Sequence, residues 1–227
     1  MKSVLVIIAD GSEELEAVTV INLLRRAGIS VTVASISNMQ IKGARGTNIV
    51  ADILLKDCIE DTWDMVVLPG GMPGAENLSN SEDLIKILDQ RFEKNELIAA
   101  ICASPAVILN KHGFLGGKKA TCHEDFSHQL SKEIFVDAKM VNSENLITAD
   151  GPGSAIKFSI EIIKKEVSMV SKTEKQRVEV KFFSGLGRTL GLSFFYFALV
   201  PMILVGYLSY ISSYKNIEKE ILNNLSN

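Results

Sequence analysis

The chain has 227 residues, of which 47% are hydrophobic and 22% are charged, so it can form one well-buried domain with a remainder and is not a disordered tail. A net charge of -3 gives no general reason to expect nucleic acid binding, which normally requires a basic surface. The cysteines Cys58, Cys102 and Cys122 show no C-x-x-C spacing, which excludes a disulfide framework and indicates reduced thiols in a cytosolic compartment.

The N-terminal sequence MKSVLVIIADG predicts a buried strand over Val4–Ala9. It is not typical of a secretory signal, because the apolar run is short, ends at Asp10 and lacks a small-residue cleavage site. A helix over Glu14–Ala27, closed by Gly28, and a second strand over Ser30–Ser35 follow.

Three more apolar strands are predicted, at Met65–Leu68, Leu97–Ile101 and Leu146–Ala149. Strands that alternate with helices indicate a parallel sheet covered by helices on both faces. Ligands of such sheets bind beyond the carboxyl ends of the strands. The turns expected at that edge read ADGSEELE, LPGGMPGAEN, AICASP and TADGPGSA.

Cys102 follows the fourth of these five strands directly. Ser104 is a good N-cap and Pro105 a good first helical residue, so a helix is predicted from there to about His112. A thiol at a helix N-terminus has a lowered pKa and becomes a reactive nucleophile. The alternative is a small buried cysteine that only fills space, and spacing alone does not decide between them.

The turn after the first strand is acidic, with Glu13, Glu14 and Glu16. Such residues often do no more than complement the helix dipole. A carboxyl group held against Cys102 would have a raised pKa and could transfer protons.

The second turn contains Gly70, Gly71 and Gly74, which allow the backbone to turn sharply and to direct N–H groups into an oxyanion hole. It matches neither the dinucleotide-binding nor the P-loop glycine pattern. The GPGSA turn at 151–155 either lines the site or simply caps a helix.

His123, next to Cys122, is a candidate base or metal ligand. No second Cys/His pair has zinc spacing, so no metal site is expected. His112 and His128 are predicted to be ordinary helix residues.

The amino-acid composition of the chain changes after residue 167. A charged linker over 168–188 is followed by an uncharged stretch, LGLSFFYFALVPMILVGYLSYI, which is typical of a transmembrane helix. The sequence predicts the membrane span at 189–212 and a short tail at 213–227. The alternative is a buried terminal helix of a soluble oligomer. Basic residues are more frequent before the span (Lys172, Lys175, Arg177, Lys181, Arg188) than after it (Lys215, Lys219). This bias predicts a single-pass membrane protein whose N-terminal domain is cytoplasmic.

Five segments, GSEELEAV, RRAGI, VVLPGGMPGAENL, LIAAICASPAVIL and DGPGSAIKF, occur in this order along about 165 residues. Together they strongly resemble the DJ-1/PfpI (ThiJ-like) family, on its DJ-1 side. The resemblance implies a flavodoxin-like three-layer α/β sandwich with a mostly parallel sheet over 1–167, usually a homodimer, without an obligate cofactor.

The resemblance also implies roles for individual residues. It makes Cys102 the nucleophile on a strained turn and Glu16 the carboxyl group that hydrogen-bonds it. Backbone groups and neighbouring side chains would complete the site: Gly70, Gly71 and Ala103 as oxyanion or substrate contacts, His123 near the thiol, and Arg45 reaching the site from the dimer partner.

The implied activity is cysteine-dependent conversion of reactive dicarbonyls or their adducts, of the glyoxalase or deglycase type, with methylglyoxal going to lactate. The alternative is a non-enzymatic redox sensor or chaperone that works through oxidation of the same cysteine. Proteolysis, found in the PfpI branch, is disfavoured because Ala103 stands where that branch has a histidine.

Two departures from the family pattern are visible. Ser104 replaces a glycine seen in several relatives, which also improves the predicted cap. The region after Val167 exceeds the family domain and resembles the first transmembrane segment of a bacterial membrane sensor. The chain is then either a tail-anchored family member, a fusion or truncation of two genes, or a cytoplasmic module of a signalling protein.

Overall fold

A computed structural model of the chain describes residues 2–166. The strands in this range are β1 (Ser3–Ile8), β2 (Ser30–Ser35), β3 (Gln40–Lys42), β4 (Asn48–Val50), β5 (Ile53–Leu54), β6 (Met65–Leu68), β7 (Leu97–Ile101), β8 (Met140–Ser143) and β9 (Leu146–Ala149).

Within residues 2–166, four α-helices connect or cover these strands: α1 (Glu14–Arg26), α2 (Gly74–Ser79), α3 (Glu82–Glu93) and α4 (155–166). A short π-helix, Pro105–Asn110, follows β7. Short 3₁₀ helices occur at Leu55–Asp57, Glu124–Gln129 and Pro152–Ser154.

The main sheet has the strand order β5-β2-β1-β6-β7-β9-β8. All neighbouring pairs are parallel except β8 and β9. The central order β2-β1-β6-β7-β9 is the flavodoxin-like arrangement, with a switch point where the order reverses next to β1. The α/β prediction with a mostly parallel, flavodoxin-like sheet is therefore confirmed.

Alternate residues of β1 pack into cores on opposite faces of the sheet, as the period of a strand requires. Leu5 packs in the core that contains Leu88 of α3. Val6 packs in the core that contains Val20 of α1 and Phe158 of α4. Burying a side chain of this kind contributes roughly 1.5–3 kcal/mol relative to leaving it exposed, so these two layers fix the sheet on which the site is built.

The carboxyl ends of the parallel strands bring the unusual turns to one edge, as expected. Asp10 lies beyond β1, Gly70 beyond β6, Cys102 directly after β7 and Asp150 directly after β9. Residues distant in sequence are thus gathered around the end of β7.

Within residues 2–166, no helix combines the length and the apolar character needed to cross a membrane. The predicted linker over 168–188, membrane span over 189–212 and tail over 213–227 lie outside the described residues.

Candidate active site

Cys102 occupies the sharp turn between β7 and the π-helix, with a φ of 64°. This left-handed conformation costs a non-glycine residue roughly 1–3 kcal/mol and persists only where its surroundings impose it. Two backbone hydrogen bonds do so: the Cys102 N–H donates to the Ala149 carbonyl at 2.9 Å, and the His123 N–H donates to the Cys102 carbonyl at 2.8 Å. Cys102 is 9% exposed. The chain thus holds a buried thiol in a strained turn, as reactive sites often do.

Gly70 allows the turn after β6 to approach this cysteine. A Cβ atom at position 70 would lie 2.6 Å from the Cβ of Cys102 and 2.9 Å from the backbone nitrogen of Ala103, so only glycine fits. The next residue, Gly71, has a φ of 87°. The N–H groups of Gly71 and Ala103 both interact with the Cys102 thiol. Two of the predicted backbone groups, those of Gly71 and Ala103, therefore lie at the sulfur, whereas the Gly70 N–H donates to Glu16 instead.

Glu16 lies in the first turn of α1 and is fully buried. Its Oε2 accepts a hydrogen bond from the Gly70 N–H at 2.7 Å. Its Oε1 lacks a hydrogen-bond partner of ordinary geometry among the described residues, and the polar group facing this carboxyl group is the Cys102 thiol. One oxygen is therefore anchored while the other is left for the cysteine.

The carboxyl group and the thiol influence each other's protonation. Burial raises the pKa of Glu16 to about 7, against the opposing effect of the Gly70 N–H. Burial, followed by the charge of Glu16, raises the pKa of Cys102 to about 12, which outweighs the N–H groups of Gly71 and Ala103. Between these values the pair holds one proton. Glu16 can thus accept the proton that Cys102 loses when its sulfur attacks.

Two local predictions from the sequence are wrong. The thiol pKa is raised rather than lowered, because burial and the facing carboxylate outweigh the backbone donors. Ser104 does not cap the following helix, which is a short π-helix and not an α-helix reaching His112. The Ser104 hydroxyl donates instead to the Pro69 carbonyl at 2.6 Å and so ties the turn of Cys102 to the turn of Gly70.

His123 contacts the cysteine through its backbone. Its ring lines a cleft together with Gly151 and Pro152, and its Nδ1 accepts the Asp125 N–H at 3.3 Å. No hydrogen bond joins the ring to the Cys102 thiol within residues 2–166. The structure therefore places His123 beside the turn of Cys102 and in the wall of the adjoining cleft.

Arg45 is anchored through its backbone and not through its side chain. The carboxylate of Glu14 accepts the Arg45 N–H at 3.0 Å and the Thr47 N–H at 3.2 Å, which pins this loop to the start of α1. The Arg45 side chain is 82% exposed, with its Nε 3.9 Å from a carboxylate oxygen of Glu13. Its predicted approach to a partner's site stays a prediction.

The other two cysteines lack such surroundings. Cys58 and Cys122 are free and buried. Burial raises the pKa of Cys58, and it raises the pKa of Cys122 to about 11. Neither has a facing carboxyl group comparable to Glu16, so Cys102 is the candidate nucleophile among the three.

A serine–histidine pair occurs in a separate cavity between α2 and α3. His112 Nε2 lies 3.1 Å from the Ser79 hydroxyl and 3.0 Å from the Ser79 carbonyl. A carbonyl can only accept, so Nε2 carries the proton and cannot serve as the base of Ser79. In the described part of the chain, no three His, Cys, Asp or Glu side chains are grouped so that they could hold a metal ion.

Sequence reasoning missed the arrangement at the end of β9. Asp150 accepts hydrogen bonds from the Ser154 hydroxyl at 2.6 Å and from the Lys139 ammonium group at 2.8 Å. The available signal was an aspartate directly after a buried strand, four residues before a serine. Lys139 could not be found this way because it reaches Asp150 from outside that turn.

A family profile and individual protein sequences both match this chain. The sequence profile of the DJ-1/PfpI family matches residues 2–165. The Arabidopsis thaliana protein DJ-1 homolog B is 41% identical over 163 residues, 71% of this chain and 37% of that protein. The Caenorhabditis elegans protein glutathione-independent glyoxalase DJR-1.2 is 33% identical over 165 residues, 71% of this chain and 87% of that protein. The chain thus spans well under half the length of the Arabidopsis relative.

Solved structures agree with the fold. The oxidized DJ-1 of Toxoplasma gondii is 36% identical, superposes with a TM-score of 0.72, and the match covers 82% of this chain and all of that one. The sequence comparison and the structure comparison therefore both find DJ-1 proteins similar to this chain.

Proposed function

Because the chain belongs to the DJ-1/PfpI family, we propose that it is a cysteine-dependent enzyme that converts reactive dicarbonyls, or their adducts, into 2-hydroxy acids. The observation that carries the proposal is the convergence of Glu16 and the N–H groups of Gly71 and Ala103 on the Cys102 thiol. The relative named as a glutathione-independent glyoxalase supports this substrate class.

The first step joins the enzyme to methylglyoxal. The sulfur of Cys102 forms a bond to the aldehyde carbon, the thiol proton passes to Glu16, and the carbonyl electron pair moves to oxygen. The N–H groups of Gly71 and Ala103, which lie beside the sulfur, are placed to stabilise this oxyanion. Reprotonation of the oxygen gives a hemithioacetal.

The second step is an internal oxidation and reduction. A proton leaves the former aldehyde carbon and another is added to the neighbouring ketone carbon, through an enediol, with Glu16 as the acid and base. The first carbon is oxidised and the second reduced, so no external oxidant is consumed. Water then cleaves the resulting lactoyl thioester, and the sum is methylglyoxal plus water to lactate plus one proton.

Lactate formation tests this proposal. The full chain is incubated with methylglyoxal in the absence of glutathione, beside Cys102→Ala and, as a matched control, Cys58→Ala. The proposal predicts turnover by the unmodified chain and by Cys58→Ala but not by Cys102→Ala. Equal lactate formation by all three proteins, or by none, would contradict it.

Oxidation sensing is a second candidate function, favoured by the N–H groups that surround the sulfur and would stabilise an oxidised anion. Two molecules of hydrogen peroxide would each transfer one oxygen to Cys102 and leave as water, giving a sulfinate. Two added oxygens at Cys102 together with an absence of lactate formation would favour the sensor over the enzyme.

The proposed assembly is a homodimer that packs through α1 and β4. Val18 and Val50, 48% and 65% exposed, are exposed apolar residues of these elements, and they line one depression. Covering such a patch with a second copy removes apolar surface from water. Val18→Glu should lower the mass measured by light scattering to that of a monomer, while Gln129→Glu, an exposed control, should not.

The proposed location is the membrane, with residues 1–167 in the cytoplasm and 189–212 as the anchor. This proposal is supported by the uncharged stretch and by the basic residues that precede it. The full chain should sediment with membranes and be released by detergent but not by salt. Leu199→Arg combined with Leu204→Arg should free it, since each central arginine costs roughly 2.5–3.5 kcal/mol.

A further inference from the structure

The buried face of α4 includes a carboxyl group at a position where a hydrophobic side chain is expected. The buried residues of this helix recur at helical spacing, which marks the face that packs on the sheet: Ala155, Phe158, Ser159, Ile162 and Glu166. Phe158 and Ile162 are fully buried in the core on this side of the sheet. Glu166 is 1% exposed, so the helix buries an ionisable group that the proposed reaction does not use.

The carboxyl group of Glu166 is buried without hydrogen bonds. Neither of its oxygens has a hydrogen-bond partner of ordinary geometry among the described residues. The Lys2 ammonium group lies 3.7 Å from Oε2, which is too far for a hydrogen bond. An ionised carboxylate in this position is unfavourable, because little replaces the water that its charge has lost.

The cations near Glu166 are engaged with other partners. Lys2, which precedes β1, donates to the Asp64 carboxylate at 2.8 Å, and Asp64 itself precedes β6. Arg91 of α3 lies 3.2 Å from the carboxylate of Glu96 and donates to backbone carbonyls. Both cations thus have a closer carboxylate than Glu166. When Glu166 is ionised, its charge is the one left without a close partner.

These surroundings raise the pKa of Glu166. Burial is the main cause and the charge of Asp64 acts in the same direction, while Lys2 and Arg91 oppose them. The adjacent Lys165 is directed towards the β8–β9 hairpin, to which its ammonium group donates. The docked helix therefore binds the proton of Glu166 more tightly than a solvent-exposed glutamate does. This contribution to docking is fully present below the ordinary pKa of 4.5 and is lost as pH rises through the raised value.

We propose that Glu166 makes the docking of its turn of α4, residues 163–166, depend on pH. The turn packs on the sheet while the carboxyl group is protonated. When the group releases its proton to water, the turn separates from the sheet and the carboxylate becomes hydrated. Phe158 and Ile162 lie at least one turn earlier and keep the rest of α4 in place, so the opening is local.

Amide hydrogen exchange in the full chain measures this opening. Mass spectrometry of the peptide 159–166 gives a protection factor at each pH, after correction for the effect of pH on exchange in unstructured peptides. We expect protection to fall by up to about tenfold per pH unit above about 4.5, and to level off once Glu166 is ionised in the docked helix as well. Protection of α3 in the same sample reports opening of the whole domain and should fall less.

Three variants assign the effect to Glu166. Glu166→Gln keeps the shape of the side chain but cannot ionise, so protection over 159–166 should stay constant across the pH range. Glu161→Gln is the matched control on the same helix, because Glu161 is partly exposed and accepts a hydrogen bond from Asn142 at 2.9 Å; the fall in protection should remain. Lys2→Gln removes the cation that favours ionised Glu166 in the docked helix, so protection should continue to fall to higher pH.

The pattern of exchange decides the outcome. If protection over 159–166 does not change with pH in the unmodified chain, or falls equally in Glu166→Gln, the inference is wrong. An equal fall in 159–166 and in α3 that disappears in Glu166→Gln would also overturn it, because Glu166 would then act on the stability of the whole domain. None of these results depends on the conversion of methylglyoxal, so the proposed function is tested separately.

Discussion

The backbone N–H of Gly70 donates a 2.7 Å hydrogen bond to Oε2 of Glu16. This bond joins the turn after β6 to the first turn of α1. It fixes the orientation of a fully buried carboxyl group and leaves Oε1 for Cys102. Gly70 thus serves twice, by making room for the cysteine and by holding its acid–base partner.

Glu16→Gln should abolish most of the activity without removing the bond to Gly70, because the amide oxygen still accepts that N–H but the side chain no longer moves protons. We expect kcat to fall by roughly 10²–10⁴. In the unmodified chain, kcat/KM should rise with pH and level off above about 7, as Glu16 loses its proton and becomes the base.

Steady-state kinetics across pH measure this effect. Glu14→Gln is the matched control, since Glu14 occupies the same turn of α1 but binds the backbone of the Arg45 loop. If kcat/KM of Glu16→Gln still rises with pH and levels off near 7, another group is the base.

The same substitution should change how stability depends on pH. Because burial raises the pKa of Glu16 from 4.5 to about 7, the folded protein binds this proton more tightly than the unfolded chain does. This contribution to stability is fully present below the unfolded pKa and is lost as pH rises through the folded value. Glu16→Gln should therefore raise the free energy of unfolding in alkaline solution, by roughly 3 kcal/mol at most.

Denaturant titrations at about pH 5 and about pH 8.5 test this expectation. Glu14 gives a control of opposite sign: burial acts to raise its pKa, but N–H groups that include those of Arg45 and Thr47 lower it overall. Its contribution is present above the unfolded pKa and is lost as pH falls. Both titrations lie above the unfolded pKa of 4.5, so Glu14→Gln should destabilise the protein at both pH values and should show no gain at about pH 8.5.

The buried parallel strands were the most predictable part of the fold. Met65–Leu68 and Leu97–Ile101 have the same bounds in the structure as predicted from continuous apolar runs. The hairpin of β3 and β4 was missed, because its residues are largely exposed and its strands too short to show an alternating pattern.

The sequence predicted which residues meet in the site better than it predicted their hydrogen bonds and pKa values. Proximity of Glu16 and Cys102 follows from strand order, once the carboxyl ends of β1 and β7 are known to lie on one edge. The hydrogen bond of Ser104 was not predictable, since a serine before a proline suggests a helix cap and its actual acceptor, Pro69, is distant in sequence. The raised pKa of Cys102 depends on burial, which spacing does not report.

Gly70→Ala should damage the site through sterics alone. The added methyl group would lie 2.6 Å from the Cβ of Cys102, so the two turns must separate, and we expect a loss of roughly 1–3 kcal/mol in the free energy of unfolding. Alkylation of Cys102 by iodoacetamide should change in rate as its donors move. Gly153→Ala, which has no atom within 4 Å of the new methyl group, should leave stability within about 0.5 kcal/mol.

Ser104→Ala tests whether the conformation of the Cys102 turn depends on the hydrogen bond that joins it to the turn of Gly70. The substitution removes a buried hydroxyl that donates to the Pro69 carbonyl at 2.6 Å and leaves that carbonyl without this donor, which should cost roughly 1–3 kcal/mol. Ser127→Ala removes a bond of the same type, from a hydroxyl to the Glu124 carbonyl at 2.7 Å, but in an exposed position. Water replaces the lost donor there, so little stability should be lost.

The kinetic consequence of Ser104→Ala separates positioning from stability. If the Ser104–Pro69 hydrogen bond positions Cys102 against Glu16, kcat should fall in Ser104→Ala while KM changes little. The pH at which kcat/KM levels off, near 7, should also shift. Both effects are expected because the distance between the thiol and the carboxyl group governs proton transfer and the charge that each group feels. A variant that loses stability but keeps kcat and the pH profile would show that the Ser104–Pro69 bond supports the fold and not the geometry of the thiol.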